Sequence, residues 1–142
     1  MGKLSPRRGI RCTRAMLEVD LPEVMAELTA AFELYERALI ANDIATLNDL
    51  FWESPHTLRY GARENERLYG HAEVAAFRIR RGPVDQRRTL RNQKITTFGR
   101  DFGIANVEFI PAGSGSIGRQ SQTWIRTGKG WKIVSAHVSF GT

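Results

Sequence analysis

The chain has 142 residues, of which 42% are apolar and 25% are charged, a size and composition typical of one domain with its own core. Its formal net charge of +6 comes largely from residues 1–15, which contain Lys3, Arg7, Arg8, Arg11 and Arg14 and no acid. Beyond this tail the charges nearly balance, so the composition does not indicate a nucleic-acid-binding domain.

The change in composition near Met16 predicts two parts, a basic disordered tail or leader over residues 1–15 and a single domain over residues 16–142. It also motivates the hypothesis that Met16 is the native start. The single cysteine, Cys12, has no partner for an intrachain disulfide. No export signal and no apolar run long enough for a membrane span are visible, so we expect a cytoplasmic protein without a membrane partner.

Two helices are predicted before Pro55. Asp20 as N-cap and Glu23 three residues later form a capping-box pattern, which predicts a helix start. Apolar residues then recur at helical spacing to about residue 41, namely Leu21, Val24, Leu28, Ala31, Phe32, Tyr35 and Leu39. A shorter helix starts at Asp43 and is ended by Pro55.

The hexapeptide 56–61, His-Thr-Leu-Arg-Tyr-Gly, is rich in strand-forming residues and has a fixed positive charge in its middle. Alternation places Arg59 on the face opposite His56 and Tyr60. Because an unpaired buried charge is costly, Arg59 must reach either solvent or an anion. Its planar fork suits the carboxylate of a small-molecule substrate. The alternative is an edge-strand arginine that reaches water or a surface carboxylate.

The remaining elements are a helix followed by strands. Residues 62–69 are a predicted loop or short hairpin, and a third helix runs from His71 to about Arg81, with Val74, Phe77 and Ile79 inward. Strands are predicted at roughly 87–98, 101–111, 116–127 and 130–140. This order indicates an α+β fold in which helices cover one face of a curved antiparallel sheet and enclose a conical cavity.

Tyr35 and His137 are candidate catalytic residues beside Arg59. Tyr35 lies on the apolar stripe of the first helix, so its hydroxyl either reaches a backbone carbonyl or donates a proton to an anionic substrate. Alternation places His137 on one face with Trp131 and Ile133, which predicts burial. His137 is then either a buried neutral histidine or a group that orients substrate and relays a proton.

The strand near residue 120 supplies the candidate substrate-binding residues, Gln122, Trp124, Arg119 and Ser121. Gln122 and Trp124 share a face with Gln120, whereas Arg119 and Ser121 lie on the other face. The run Arg78-Ile79-Arg80-Arg81 is predicted to be a solvated helix end, although it is also the best remaining argument for an anionic partner. The sequence has no phosphate loop, nucleophile elbow or metal-ligand spacing, and we expect no metal site.

Several segments together resemble one known family, the AtzH/HpxZ-like group of the SnoaL-like, nuclear-transport-factor-2-like superfamily. They are residues 21–24, 32–36, 54–61, 95–102, 118–124 and 135–139, and the resemblance spans about residues 17–140. It implies a cone-shaped α+β fold, usually a homodimer through the sheet. It also implies that the family's tyrosine on the first helix and arginine on the first strand correspond to Tyr35 and Arg59.

The function implied by the resemblance is ureide breakdown without metal or cofactor. The reaction is the decarboxylation of 1,3-dicarboxyurea to allophanate, or a related step on an oxalurate-type ureido acid. Arg59 would hold a carboxylate, Tyr35 would supply the proton, and Phe32, Trp124 and Trp131 would form apolar walls. One alternative is a non-catalytic partner of an amidase. Another is a ketosteroid-isomerase-like enzyme, for which only Glu108 offers a base.

Overall fold

The structure is a computed structural model that describes residues 16–141, in which three helices and six strands are present. The helices are α1 (Pro22–Ile40), α2 (Ile44–Leu50) and α3 (His71–Arg81). The strands are β1 (Leu58–Tyr60), β2 (Arg67–Tyr69), β3 (Arg88–Phe98), β4 (Phe102–Pro111), β5 (Gly118–Thr127) and β6 (Gly130–Phe140). The predicted tail over residues 1–15, including Cys12, lies outside the described residues.

The strands form one curved sheet in the order β2-β1-β6-β5-β4-β3. Strands β3 to β6 are an antiparallel meander, and their bounds agree with the predicted ones to within two residues. The predicted α+β class is confirmed. The sheet is not wholly antiparallel, however, because β1 runs parallel to β6. Strands β1 and β2 form the hairpin that was one of the two predictions for residues 62–69.

The core lies between the helices and one face of the sheet, which we call the inner face. The apolar stripe of α1 is buried as predicted, with Val24, Leu28 and Phe32 almost inaccessible to solvent. Trp124 and Ile133 of the sheet belong to the same core cluster. Among residues 16–141 no helix is long and apolar enough to cross a membrane.

The predicted N-cap at Asp20 is wrong, because Asp20 binds the sheet instead of the helix. Helix α1 begins after Leu21, and no side chain caps it. The Asp20 carboxylate accepts a hydrogen bond from the backbone N–H of Thr97 (2.9 Å), and the Asp20 N–H donates to Thr97 O (3.0 Å). The predicted start of the second helix at Asp43 is confirmed, since α2 follows this residue and the Asp43 carboxylate caps it by accepting from the Thr46 N–H.

Helix α3 has the predicted bounds but a different inner face. Val74 is buried and Phe77 is partly buried, as predicted, whereas Ile79 is 74% exposed. Arg78 takes the inward position, with only 4% of its surface exposed. The spacing explains this result, because residues four apart along a helix share a face and Arg78 follows Val74 by four. Helical spacing therefore predicts the inner face of α3 better than the apolar character of Ile79 does.

Gly103 of β4 permits the close approach of α1 to the sheet. A Cβ atom at this position would overlap Cδ2 of Leu28 and would lie 3.1 Å from the carbonyl oxygen of Thr96. Leu28 has no exposed surface, so its side chain has no room to move away. The glycine therefore sets how closely α1 and the sheet pack.

We expect Gly103→Ala to lower the free energy of unfolding by about 1–3 kcal/mol, because the added methyl overpacks the core. Urea denaturation followed by circular dichroism measures the change. Gly115→Ala is the matched control, since a Cβ there meets no atom within 4 Å. Equal stability of the two variants would contradict the packing described for α1 and β4.

Candidate active site

A cavity of about 300 Å³ opens between α1, β1, the end of α3 and the inner face of β4 to β6. Tyr35 and Arg59 both line it, although they are 24 positions apart in the sequence. Its apolar wall includes Leu39, Phe109 and Val138. The cavity therefore brings together the two residues to which the family resemblance assigned the chemistry.

Tyr35 lines this cavity with its side chain almost fully buried. The residue is 5% exposed, and its ring centroid lies 6.4 Å from that of Phe51. Within residues 16–141 its hydroxyl oxygen makes no hydrogen bond to a protein atom, so the backbone-bonded alternative is not observed. A phenol with no protein partner is available to donate to a ligand.

Arg59 lies on an interior strand, so the edge-strand alternative is wrong. Strand β1 pairs with β2 on one side and β6 on the other, and Arg59 is flanked by Leu68 and Ala136. Its guanidinium carbon lies 5.4 Å from the centroid of the Phe77 ring. Among the described residues it forms no ion pair, and its buried Nη1 has no hydrogen-bond partner. The side chain is held in place with its hydrogen-bonding capacity unused.

A buried ion pair between Glu36 and Arg88 closes the cavity on the side of β3, and the sequence analysis did not identify it. Arg88 Nε donates to Glu36 Oε2 (3.1 Å), and Arg88 Nη2 contacts Glu36 Oε1. Arg88 also lies over the Phe109 ring, 4.4 Å from its centroid. The available signal was Glu36 itself, an acid four residues after Phe32 on the apolar stripe.

Gln120 is oriented by that ion pair. Arg88 Nη2 donates to Gln120 Oε1 (3.1 Å), which fixes the amide with its oxygen toward the guanidinium. Gln120 lines the cavity and is 3% exposed, and its Nε2 has no acceptor among the described residues. Its place on the face of Gln122 and Trp124 was recognised in the sequence, but its position at the cavity was not.

Arg78 and Arg81 are not solvated as predicted. Arg78 is buried, donates to Asn48 Oδ1 (3.0 Å) and lies 4.7 Å from the centroid of the Phe51 ring. The pKa of Arg78 is lowered to about 10, chiefly by burial; Tyr35 raises the pKa, and the charges of Arg59 and Arg81 lower it. Arg81 is partly buried and lines the cavity. Arg81 therefore adds a guanidinium group to the cavity, whereas Arg78 does not line it.

The predicted substrate-binding residues do not line this cavity. Gln122 and Trp124 are buried in the core, where Trp124 Nε1 donates to Gln122 Oε1 (3.1 Å). Arg119 and Ser121 lie on the opposite, outer face of the sheet. Arg119 forms an ion pair with Glu108 (3.2 Å), and the Ser121 hydroxyl donates to Asn106 Oδ1 (2.6 Å). Glu108 is therefore also on the outer face and is not a base in the cavity.

His137 also lies on the outer face, so its predicted alignment with Trp131 and Ile133 is wrong. Trp124 pairs with Ile133 and Thr123 with Ser135, which leaves one extra residue in β6. This bulge at Val134 reverses the alternation beyond it. His137 is exposed and lies opposite Ser121, 5.8 Å from the ring of Tyr60. It is not brought together with Tyr35 and Arg59.

The predicted apolar walls are core residues instead. Phe32 and Trp124 are almost fully buried, and Trp131 donates through Nε1 to Glu27 of α1 (3.1 Å). A second cavity, of about 670 Å³, lies on the other side of Phe51 and is lined by Trp52, His71 and Lys132, among others.

Lys132 and His71 at the larger cavity already have partners within the protein. Lys132 donates to the carbonyl oxygen of Asp49 and forms an ion pair with its carboxylate, and the His71 ring nitrogen Nε2 is 2.7 Å from Asn48 O. Over residues 16–141 no group of three or more histidine, cysteine or acidic side chains is placed to hold a metal ion. The smaller cavity is the candidate active site because both Tyr35 and Arg59 line it.

Comparison with known proteins agrees with the observed fold and with the family resemblance of the sequence. The AtzH-like family model matches residues 17–142. The chain belongs to the AtzH-like family. A crystal structure of a protein of unknown function from Pectobacterium atrosepticum has 49% identity and a TM-score of 0.84, covering 87% of this chain and 95% of the other.

Two further crystal structures extend the comparison. A cystatin-like fold protein from Burkholderia xenovorans has 45% identity and a TM-score of 0.82, covering 87% of this chain and 96% of the other. An NTF2-like protein of unknown function from Pseudomonas putida has 15% identity and a TM-score of 0.70, covering 82% and 86%, and this likeness concerns the fold alone. Among curated proteins none matches the chain.

We expect Glu36→Ala to lower the free energy of unfolding by about 3–5 kcal/mol, because it leaves the buried Arg88 without a counterion. Both side chains of the pair are at most 10% exposed. Urea denaturation measures the loss. The control is Glu33→Ala on the same helix, where the side chain is exposed and forms no ion pair with a described residue. Similar losses in the two variants would contradict the buried pair.

Proposed function

We propose that this protein is an enzyme of ureide catabolism that decarboxylates a carboxylated urea, 1,3-dicarboxyurea, to allophanate without a cofactor. The observation that carries the proposal is that Arg59 lines the cavity together with Tyr35 and that its buried Nη1 has no hydrogen-bond partner among the described residues. Membership of the AtzH-like family supports the same reaction class. A related step on an oxalurate-type ureido acid is the nearest alternative substrate assignment.

The reaction needs a carboxylate anchor and a proton source. In an N-carboxyurea the bond between nitrogen and the carboxylate carbon breaks, carbon dioxide leaves, and the electron pair remains on nitrogen. One proton must then be added to that nitrogen. Arg59 would hold the carboxylate that is retained, because a guanidinium group binds a carboxylate through two parallel hydrogen bonds. Tyr35 would donate the proton and recover one from water.

The environment of the cavity favours this charge movement. A charged carboxylate becomes a neutral gas, and apolar surfaces such as Phe109 and Val138 solvate the charged reactant poorly. The negative charge that develops on the urea is stabilised by nearby guanidinium groups. Arg59, which would hold the retained carboxylate, would supply such a group at the cavity.

The third catalytic residue in this proposal differs from the one predicted from the sequence. His137 is replaced in the proposal by Gln120, because His137 lies on the outer face of the sheet and Gln120 lines the cavity. Gln120 would donate from Nε2, which has no acceptor among the described residues, to the urea carbonyl oxygen. The predicted homodimer and the predicted amidase partner stay predictions.

We expect the wild-type protein alone to accelerate the release of carbon dioxide and allophanate from freshly generated 1,3-dicarboxyurea. Tyr35→Phe is expected to reduce kcat by about 10²–10⁴-fold through loss of the proton donor. Arg59→Met is expected to raise KM through loss of the carboxylate anchor. Coupled assays for both products, with each variant's fold checked by circular dichroism, give these values.

The matched control is Arg119→Met, which removes the same charge from the outer face and should leave both constants unchanged. Full activity of Arg59→Met would remove the central element of the proposal. Wild-type inactivity on 1,3-dicarboxyurea with turnover of oxalurate would move the assignment to that substrate. Activity only after addition of an amidase would favour the partner-protein alternative.

A further inference from the structure

The positive charge at the cavity is only partly compensated by the protein. Arg87 is paired with Asp85 at the rim, and Arg88 is paired with Glu36. Arg59 and Arg81 form no ion pair and donate no hydrogen bond within residues 16–141. Their buried atoms Arg59 Nη1, Arg81 Nε and Arg81 Nη2 have no hydrogen-bond partner. Two cationic groups at one cavity are therefore left without an anion.

Among the acids that line the cavity, Glu66 is the one whose charge acts on Arg81. Its negative charge favours the protonated form of Arg81, but the two side chains form no ion pair. Glu66 Oε2 instead accepts a hydrogen bond from the backbone N–H of Arg63 (3.2 Å). Its charge therefore acts on Arg81 only at a distance and leaves the guanidinium hydrogen-bond donors unused.

These two guanidinium groups both lie against the same aromatic ring. The guanidinium carbons of Arg59 and Arg81 lie 5.4 Å and 5.8 Å from the centroid of Phe77. Burial lowers the pKa of Arg81, and the neighbouring charge of Arg59 lowers it further. Like charges placed together in a partly buried site repel each other, and a ligand with two negative charges would relieve that repulsion.

We propose that Arg81 is the second carboxylate-binding residue of the cavity, so that the site selects ureido acids with two carboxylates over those with one. Arg59 would hold one carboxylate and Arg81 the other. This inference rests on the proposed function, since it specifies the substrate class of the same site. It also gives a reason for product release, because loss of carbon dioxide leaves a monoanion that engages only one of the two arginines.

The test uses a matched pair of ligands in which CH₂ replaces each NH group of the ureido acid and CH₃ replaces its terminal NH₂ group. 3-Oxoglutarate has the shape and the two carboxylates of 1,3-dicarboxyurea, and acetoacetate has the shape and the single carboxylate of allophanate. Titration calorimetry measures the affinity of the wild-type protein and of Arg81→Met for both ligands. Arg80→Met is the control, because Arg80 is the adjacent exposed residue of α3 and does not line this cavity.

Loss of one charge-assisted carboxylate contact is expected to weaken 3-oxoglutarate binding by about 10- to 100-fold in Arg81→Met. Acetoacetate binding should change by less than about 3-fold in the same variant, because Arg59 still holds its single carboxylate. Arg80→Met should bind both ligands as the wild type does. In turnover of 1,3-dicarboxyurea, Arg81→Met should raise KM without lowering kcat, because the carboxylate that Arg81 holds leaves as neutral carbon dioxide and the contact is weaker in the transition state than in the ground state.

Several outcomes would overturn the inference. Equal weakening of both ligands in Arg81→Met would mean that Arg81 contributes only a general positive potential. Equal affinity of the wild type for the two ligands, or no binding of either, would exclude a site for two carboxylates. The proposed function can fail separately from this inference. If 3-oxoglutarate binds selectively through Arg81 but 1,3-dicarboxyurea is not decarboxylated, the site for two carboxylates stands and the proposed reaction is rejected. Unfolding of Arg81→Met is checked by thermal denaturation, and Arg81→Gln is the second variant.

Discussion

A buried guanidinium group needs a compensating partner, and this requirement organises the interior between α1, α3 and the sheet. Arg88 is compensated by Glu36, and Arg78 by the amide of Asn48 and the face of Phe51. Arg59 and Arg81 are packed against Phe77 without an acceptor among the described residues. Because uncompensated charge in a partly buried site is costly, the missing partner is best supplied by an anionic ligand.

The side chains at the cavity come from separate elements, and burial fixes each of them. Tyr35 is held in α1 against Phe51, and Arg59 in a strand with neighbours on both sides. Gln120 is oriented through Arg88 by Glu36. A ligand that enters this cavity therefore meets groups that are already in position, and less conformational entropy is lost on binding.

Family membership and cavity chemistry contribute different parts of the functional argument. The AtzH-like match and the crystal structures with 49% and 45% identity establish the scaffold. An NTF2-like scaffold by itself does not decide a reaction, because one fold hosts many functions. The features that support the proposed reaction are a volume of about 300 Å³, which suits a small molecule, and two arginines without an ion pair among the described residues, which suit an anion.

The sequence by itself determined the elements of this protein and its family. Periodicity located α3 and the four strands of the meander, because hydrophobic spacing and turn residues act over a few neighbouring positions. The motifs also pointed to Tyr35 and Arg59, which the cavity brings together.

Only the tertiary structure decided which side chains face that cavity. The bulge at Val134 turned His137 outward, since one extra residue in β6 reverses the alternation. Packing of α3 against α2 and the sheet turned Arg78 and Arg81 inward, although their charges suggested solvent. The pairing of Glu36 with Arg88 joins residues 52 positions apart. Local pattern fixes the period of an element, whereas the direction of each face depends on contacts between residues that are distant in the sequence.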